Sequence, residues 1–173
     1  AEPQSPAERR QAAKTQYEQA FALLQTGKSS EEALERLNKA LGYDPTFGDA
    51  YVLKSYVLLE VLPNLDEALS TAKLAVQYAP ANPDSQYTLG LIYEKRGQFA
   101  EAERAMREAL VVNPNYVDVY FSLGLLYADE LKDQPKSVEA FTRYLELGGN
   151  HARAVAAVAE QSRPTAPSAP SKP

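Results

Sequence analysis

The stretch PDSQYTLGLIYEKRGQFAEAERAMREALVVNP, Pro83 to Pro114, decides the fold of this chain. Leu89, Ile92 and Tyr93 recur at helical spacing and define one apolar face. Asn82 is a good N-cap for this helix, and Pro83 suits its first position. Lys95, Arg96 and Gly97 close it with basic charge and then a residue free to turn. A second helix follows from about Phe99, with Ala102, Ala105, Met106, Ala109 and Leu110 on one side, and Asn113 and Pro114 end it. The closing phrase recurs: ALGYDP ends at Pro45, AVQYAP at Pro80 and ALVVNP at Pro114. A fixed period of about 35 residues means stacked helix pairs rather than a compact enzyme fold.

The unit from Pro83 to Pro114 resembles a tetratricopeptide repeat. Leu89-Gly90, Tyr93, Ala102, Ala109 and Pro114 match that family's pattern of small and apolar positions, and Met106 stands where a large apolar residue is usual. In physical terms, Gly90 and Ala102 let the paired helices approach, Tyr93 and Met106 fill the space between them, and Pro114 stops the second helix. The next unit repeats the pattern with Tyr120, Leu123-Gly124 and Tyr127, then Ser137, Phe141 and Tyr144. Its inter-helix loop is one residue longer, and Gly148-Gly149 replace the closing proline. The preceding unit has Tyr51, Leu58, Ala68, Ala72, Ala75 and Pro80, but Lys54-Ser55 where the Leu-Gly pair is expected. The first unit has Tyr17, Ala20, Phe21 and Leu24, then Ala33, Leu37, Ala40 and Pro45.

The expected architecture is therefore all-α: a right-handed superhelical solenoid of four tetratricopeptide-type repeats plus a C-terminal capping helix. Residues 1-13 read as a loose segment and helix start, loose to about residue 7. The repeats read as 14-47, 48-82, 83-116 and 117-150. A capping helix is expected over 151-161, packing through Ala152, Val155, Ala156 and Val158. The Pro/Ser-rich segment 162-173 lacks apolar periodicity and is expected to be disordered or extended.

Composition narrows the function. Apolar residues make up 45% of the 173, enough for a core or several stacked repeats. A net charge of -5 and no Lys/Arg block argue against nucleic acid and acidic membrane surfaces. No apolar run is long enough to span a bilayer. The chain has no cysteine and a single histidine, His151, so no disulfide, thiolate site or cysteine nucleophile is available. The phrase GKSS at Gly27 lacks the upstream glycine and strand of a phosphate loop. No cofactor, metal site or catalytic constellation is expected. The polar, proline-containing opening AEPQSPAE resembles a mature exported N-terminus, so the expected location is the periplasm or cell envelope, with the cytoplasm as the alternative.

In the family, the first helix of each repeat lines a concave face, and the resemblance places groove residues by their offset from Gly90 and Gly124. These are Asp49, Val52, Tyr56, Leu59 and Glu60 in the second repeat; Asp84, Tyr87, Leu91, Glu94 and Lys95 in the third; and Asp118, Phe121, Leu125, Ala128 and Asp129 in the fourth. An aspartate recurs in each first turn, where the helix dipole also favours it by about 0.3-1 kcal/mol. The groove reads as an acidic rim over an apolar, Tyr-rich floor, fitting a protein or peptide with basic and apolar side chains. Tyr87 and Phe121 lie off the face carrying Leu89, Ile92 and Tyr93 and are expected to meet the ligand. The other tyrosines read mainly as core filling. One subset of the family grips a C-terminal carboxylate with Lys, Arg and Asn; the acids, Thr88 and Ser122 here do not fit that clamp. The expected function is a non-enzymatic scaffold or assembly factor, in an envelope complex such as pilus or secretion machinery. The alternatives are a self-associating repeat protein, hence a possible homo-oligomer, and a cytoplasmic adaptor or co-chaperone.

Overall fold

The computed structural model describes residues 5-27 and 29-161. Among these residues it contains nine α-helices and no strand. The helices are α1 (Pro6–Gln25), α2 (Ser30–Tyr43), α3 (Gly48–Tyr56), α4 (Leu65–Tyr78), α5 (Pro83–Lys95), α6 (Phe99–Val112), α7 (Val117–Leu125), α8 (Gln134–Glu146) and α9 (Ala152–Gln161). No helix among the described residues is long and apolar enough to cross a membrane. The segment 162-173, expected to be disordered or extended, lies outside the described residues.

The chain divides into two compact units, Ala1–Pro114 and Asn115–Pro173. In the first, α1 packs on α2, α3 on α4 and α5 on α6. One apolar cluster joins Ala20, Ala33, Leu37 and Ala40 to Ala50 and Val57. A second joins Leu58, Leu59, Ala68 and Ala72 to Leu89, Ile92 and Ala105. Each pair thus shares its core with its neighbour. In the second unit α7 packs on α8, and α8 on α9.

Helix limits follow the local chemistry. Asn82 caps α5 by accepting from the Asp84 backbone N–H at 3.0 Å, with Pro83 in the first turn. At the other end Gly97, at φ +74°, lets its own N–H reach the Glu94 carbonyl (2.9 Å) and the Gln98 N–H reach the Tyr93 carbonyl (2.9 Å). The first helix begins at Pro6, ahead of the segment expected to be loose to about residue 7. The reason is a capping box: Ser5 Oγ accepts from the Glu8 backbone N–H (3.2 Å), and the Glu8 carboxylate accepts from the Ser5 N–H (2.8 Å).

The extra residue before α8 does not loosen the loop. It is absorbed as a π-helical turn, Leu126–Glu130, closed by the Leu131 N–H on the Leu126 carbonyl at 3.0 Å. A matching turn, Val57–Val61, follows α3, with the Leu62 N–H on the Val57 carbonyl at 2.8 Å. The two pairs share the spacing Ser55 to Ala68 and Gly124 to Ser137. Within Val57–Val61, Val57 joins the earlier apolar cluster while Leu58 and Leu59 join the later one. Leu59, expected in the groove, is therefore core, at 4% exposure.

The capping helix packs through a different face from the one expected. Ala154 is fully buried and Ala157 and Val158 are half-buried, whereas Ala152, Val155 and Ala156 are exposed. His151 precedes this helix, and its Nδ1 accepts from the Arg153 backbone N–H at 3.2 Å.

Two glycines in the first unit give opposite expectations. A Cβ on Gly48 would stand 2.5 Å from the Ala79 Cβ and 2.7 Å from the Ala79 backbone nitrogen, so backbone must move. A Cβ on Gly42, inside α2, would meet nothing within 4 Å. Gly48→Ala is expected to destabilise by about 1-3 kcal/mol through overpacking. Gly42→Ala should stabilise by about 0.5-1 kcal/mol through chain entropy. Urea unfolding of the two variants reads both signs.

Candidate interaction surface

The first helices of successive pairs in the first unit put Tyr17, Asp49 and Asp84 on a common face. Burial raises the Tyr17 phenol pKa most, and the carboxylates of Asp49 and then Asp84 raise it further. Two open depressions lie alongside. One, of about 360 Å³, is lined by Arg10, Lys14, Tyr17 and Glu18 of α1 together with Asp44, Phe47 and Asp49. The other, of about 660 Å³, lies between the turn from Asp44 to Asp49 and the turn from Tyr78 to Pro83. They share Asp44, Phe47 and Asp49, so together they form one trough across the turns that lead into α3 and α5.

The trough owes its shape to repeat chemistry. The Asp44 carboxylate accepts from the Thr46 backbone N–H (3.0 Å) and hydroxyl (2.7 Å), which fixes the turn after α2. The Asn82 amide donates to Asp49 at 2.9 Å and ties the next turn to α3. Ser85 Oγ donates to the Ala79 carbonyl at 2.8 Å. Two ring pairs stand at the turns: Tyr17 with Phe47 (centroids 5.2 Å apart) and Tyr51 with Tyr78 (5.7 Å). The Tyr51 hydroxyl donates to the Pro45 carbonyl at 3.0 Å.

The other expected groove residues divide. Tyr56 is displayed to solvent at 47% exposure, as is Phe21 at the matching place in α1 at 44%. Asp49, Glu60 and Lys95 are exposed; Val52, Asp84, Tyr87 and Glu94 are half-buried. Leu91 is half-buried against the core of α4 to α6.

In the second unit Asp118 is exposed, while Leu125 and Ala128 are half-buried. Phe121, expected to meet a ligand, is engaged by its own chain. Its ring lies 5.9 Å from Phe141, 5.1 Å from Tyr144 and 4.6 Å from His151. Asp129 is ion-paired to Arg153 of α9. The cause is repeat geometry: a first helix packs on its own second helix and also meets the residues that open the next first helix. Tyr17 against Phe47 is the same contact in the first unit.

Tyr17, Phe21, Phe47 and Tyr78 were not among the sequence-derived groove residues. The signal was present. Ala20 and Ala33 are spaced as Ser55 and Ala68 are, and aligning on them puts Tyr17 and Phe21 at the places of Val52 and Tyr56.

Comparison with known proteins agrees with the helix pairs. A family model described as tetratricopeptide repeat matches residues 17-85 and 87-170. Anaphase-promoting complex subunit 3 of Schizosaccharomyces pombe is 26% identical over 116 residues, covering 67% of this chain and 17% of that protein. Human tetratricopeptide repeat protein 33 is 30% identical over 115 residues, covering 66% of this chain and 43% of that protein. The chain thus spans less than half the length of either curated relative. The solved structure of a thermophilic protein of this repeat class from Thermus thermophilus matches with a TM-score of 0.70 at 22% identity. The match covers 86% of this chain and 80% of that one, and the likeness is one of fold.

Phe121→Ala is expected to destabilise the second unit by about 2-3 kcal/mol, somewhat below a fully buried Phe→Ala change. Tyr56→Ala should stay within about 0.5-1 kcal/mol of the parent, as an exposed side chain does. Thermal and urea unfolding of the two variants separate packing from display.

Proposed function

Because the chain belongs to the tetratricopeptide repeat family, whose members generally mediate protein–protein interaction or complex assembly, we propose that it is a non-enzymatic scaffold that binds a partner segment along its first unit. The segment crosses α1, α3 and α5 over the trough. The supporting observation is the trough itself: two depressions meeting on Phe47 and Asp49, flanked by ring pairs and by the carboxylates of Asp44 and Asp49, with Arg10 and the Lys14–Glu18 ion pair (3.8 Å) at the α1 end. Rings supply contact area at low entropic cost, and carboxylates select the charge of the partner. The fitting partner carries basic and apolar side chains. Phe21, stacked on Tyr17 with ring centroids 6.4 Å apart, and Tyr56 add exposed apolar surface on α1 and α3. The sequence reading proposes an envelope assembly complex as the setting, and fractionation of the tagged protein in its host checks that.

The binding reading predicts a charge rule. On an array of peptides with graded charge, the chain should retain basic-apolar peptides and reject acidic ones. The double variant Asp49→Asn/Asp84→Asn should lose about tenfold in affinity, about 1.4 kcal/mol, and show a weaker salt dependence. Asparagine keeps an acceptor for the Asn82 amide, so the melting temperature should barely move. Selection of acidic peptides, or equal binding by the variant, would sink the reading.

A further inference from the structure

The trough carries opposite charge at its two ends. Arg10 and Lys14 of α1 line its smaller depression. Lys14 is engaged by Glu18, one turn further along α1, at 3.8 Å, so that pair is close to neutral. Arg10 is exposed, and among the described residues its side chain makes no hydrogen bond or ion pair. One uncompensated cation therefore stands at the α1 end.

The other end is anionic. No lysine or arginine lines the larger depression, while Asp44 and Asp49 line both. Each of these carboxylates is held by one oxygen. Oδ1 of Asp44 accepts from the Thr46 N–H and hydroxyl, and Oδ1 of Asp49 accepts from the Asn82 amide. Their Oδ2 atoms have no hydrogen-bond partner among the described residues. The turns thus fix both carboxylates and leave each an acceptor for an outside donor, so little ordering remains to be done on binding. Between the two ends lie the rings of Tyr17 and Phe47, 5.2 Å apart. Such an arrangement disfavours a uniformly charged segment: a wholly basic one meets Arg10, and a wholly acidic one meets Asp44 and Asp49.

We propose that the trough reads charge order in an extended partner segment: an acidic side chain pairs with Arg10, apolar side chains lie over Tyr17 and Phe47, and a basic side chain takes the Oδ2 atoms of Asp44 and Asp49. The inference rests on the trough reading above and narrows its partner from any basic-apolar peptide to one with an acid at the α1 end. Arg10 then sets the register of the segment, because only one placement satisfies both ends.

The test uses the full chain and synthetic peptides capped at both ends, so that only side-chain charge is read. Each peptide carries a fluorophore, followed by anisotropy, and has a middle of alternating leucine and serine. Its two ends bear acid and base in either sequence order, base and base, or acid and acid. The middle is varied from about four to eight residues, because an extended chain advances about 3.3 Å per residue and must pass helices packed about 8-10 Å apart. At the best length the acid-base peptide is expected to bind about fivefold tighter than the base-base one, with the acid-acid peptide weakest. Arg10→Ala should level the first two, and Arg10→Glu should invert their order by about the same factor. Neither change should move the melting temperature, since Arg10 is exposed. Equal or tighter binding of the base-base peptide at every length, or an order that Arg10→Glu leaves unchanged, overturns the proposal. A base-base preference that weakens in Asp49→Asn/Asp84→Asn leaves the trough as a surface for basic peptides and removes the charge order; no saturation by any of the peptides up to about 1 mM removes both.

Discussion

Every helix pair here depends on a close crossing of its two helices at one small residue. In the third pair the place is Gly90, where a Cβ would stand 2.8 Å from Met106 Cγ and 3.3 Å from the Ala102 carbonyl oxygen. In the fourth it is Gly124, whose Cβ would enter the Phe141 ring at 2.4 Å. Ser137 on the opposing helix is fully buried there, and its hydroxyl donates to the Gly124 carbonyl at 2.9 Å. The matching positions in the first two pairs are Ala20 and Ser55, both fully buried. Small size is kept across the crossing. Where the first helix offers glycine, the second supplies Met106 or Phe141; where it offers Ser55, the corresponding residue is Ala72. The absence of a Leu-Gly pair in the second repeat is thus a redistribution of volume, the kind of change that cores tolerate best.

The crossing also explains the π-helical turns. Ser55 and Gly124 each sit one residue further from the small residue of the second helix, Ala68 or Ser137, than Gly90 sits from Ala102. With the crossing fixed by packing, the extra residue must be taken up between the two helices. In the second and fourth pairs it enters as one wide turn at the end of the first helix, leaving the second helix in register. In the first pair, where Ala20 and Ala33 have the same spacing, α1 runs to Gln25 without such a turn and the residue falls in the link to α2. Asn64 then caps α4 by accepting from the Glu67 N–H (3.2 Å), and Asp133 caps α8 by accepting from the Lys136 N–H (3.1 Å).

The pairs were legible in the sequence because their signals are local: a cap, an apolar face of period 3.6 and a stop within each unit of the repeat. Asn82, Pro83, Gly97 and the alanines of α6 each announce their role within a few residues. The start of α1 was equally local, written in Ser5 and Glu8, and went unread because proline and polar residues around it suggested a loose end. The interaction surface was less legible. Its positions depend on what the next repeat places opposite each side chain, about 30 residues away in the chain. Phe121 has the sequence marks of a displayed aromatic and is covered by Tyr144 and His151; Tyr56 has the same marks and is displayed.

That dependence on the next repeat also accounts for where the trough forms. A second helix followed at once by proline, as at Pro45 and Pro80, must turn sharply before the next first helix begins. The turn cannot fill the space beside its neighbour with helix, so aromatic side chains at its edges fill part of it. Phe47, Tyr51 and Tyr78 stand at these edges, and Gly48 lets the second turn come close enough to touch the first. At the end of α8 the closing proline is replaced by Gly148, at φ +94°, and Gly149, which lies against the Tyr144 ring. There the chain itself supplies His151 to cover Phe121, and Arg153 of α9 pairs with Asp129. The two ways of leaving a second helix thus have opposite consequences within their own units: the proline turns leave rings and carboxylates facing an open trough, and the glycine turn brings the chain back to cover its own aromatic surface.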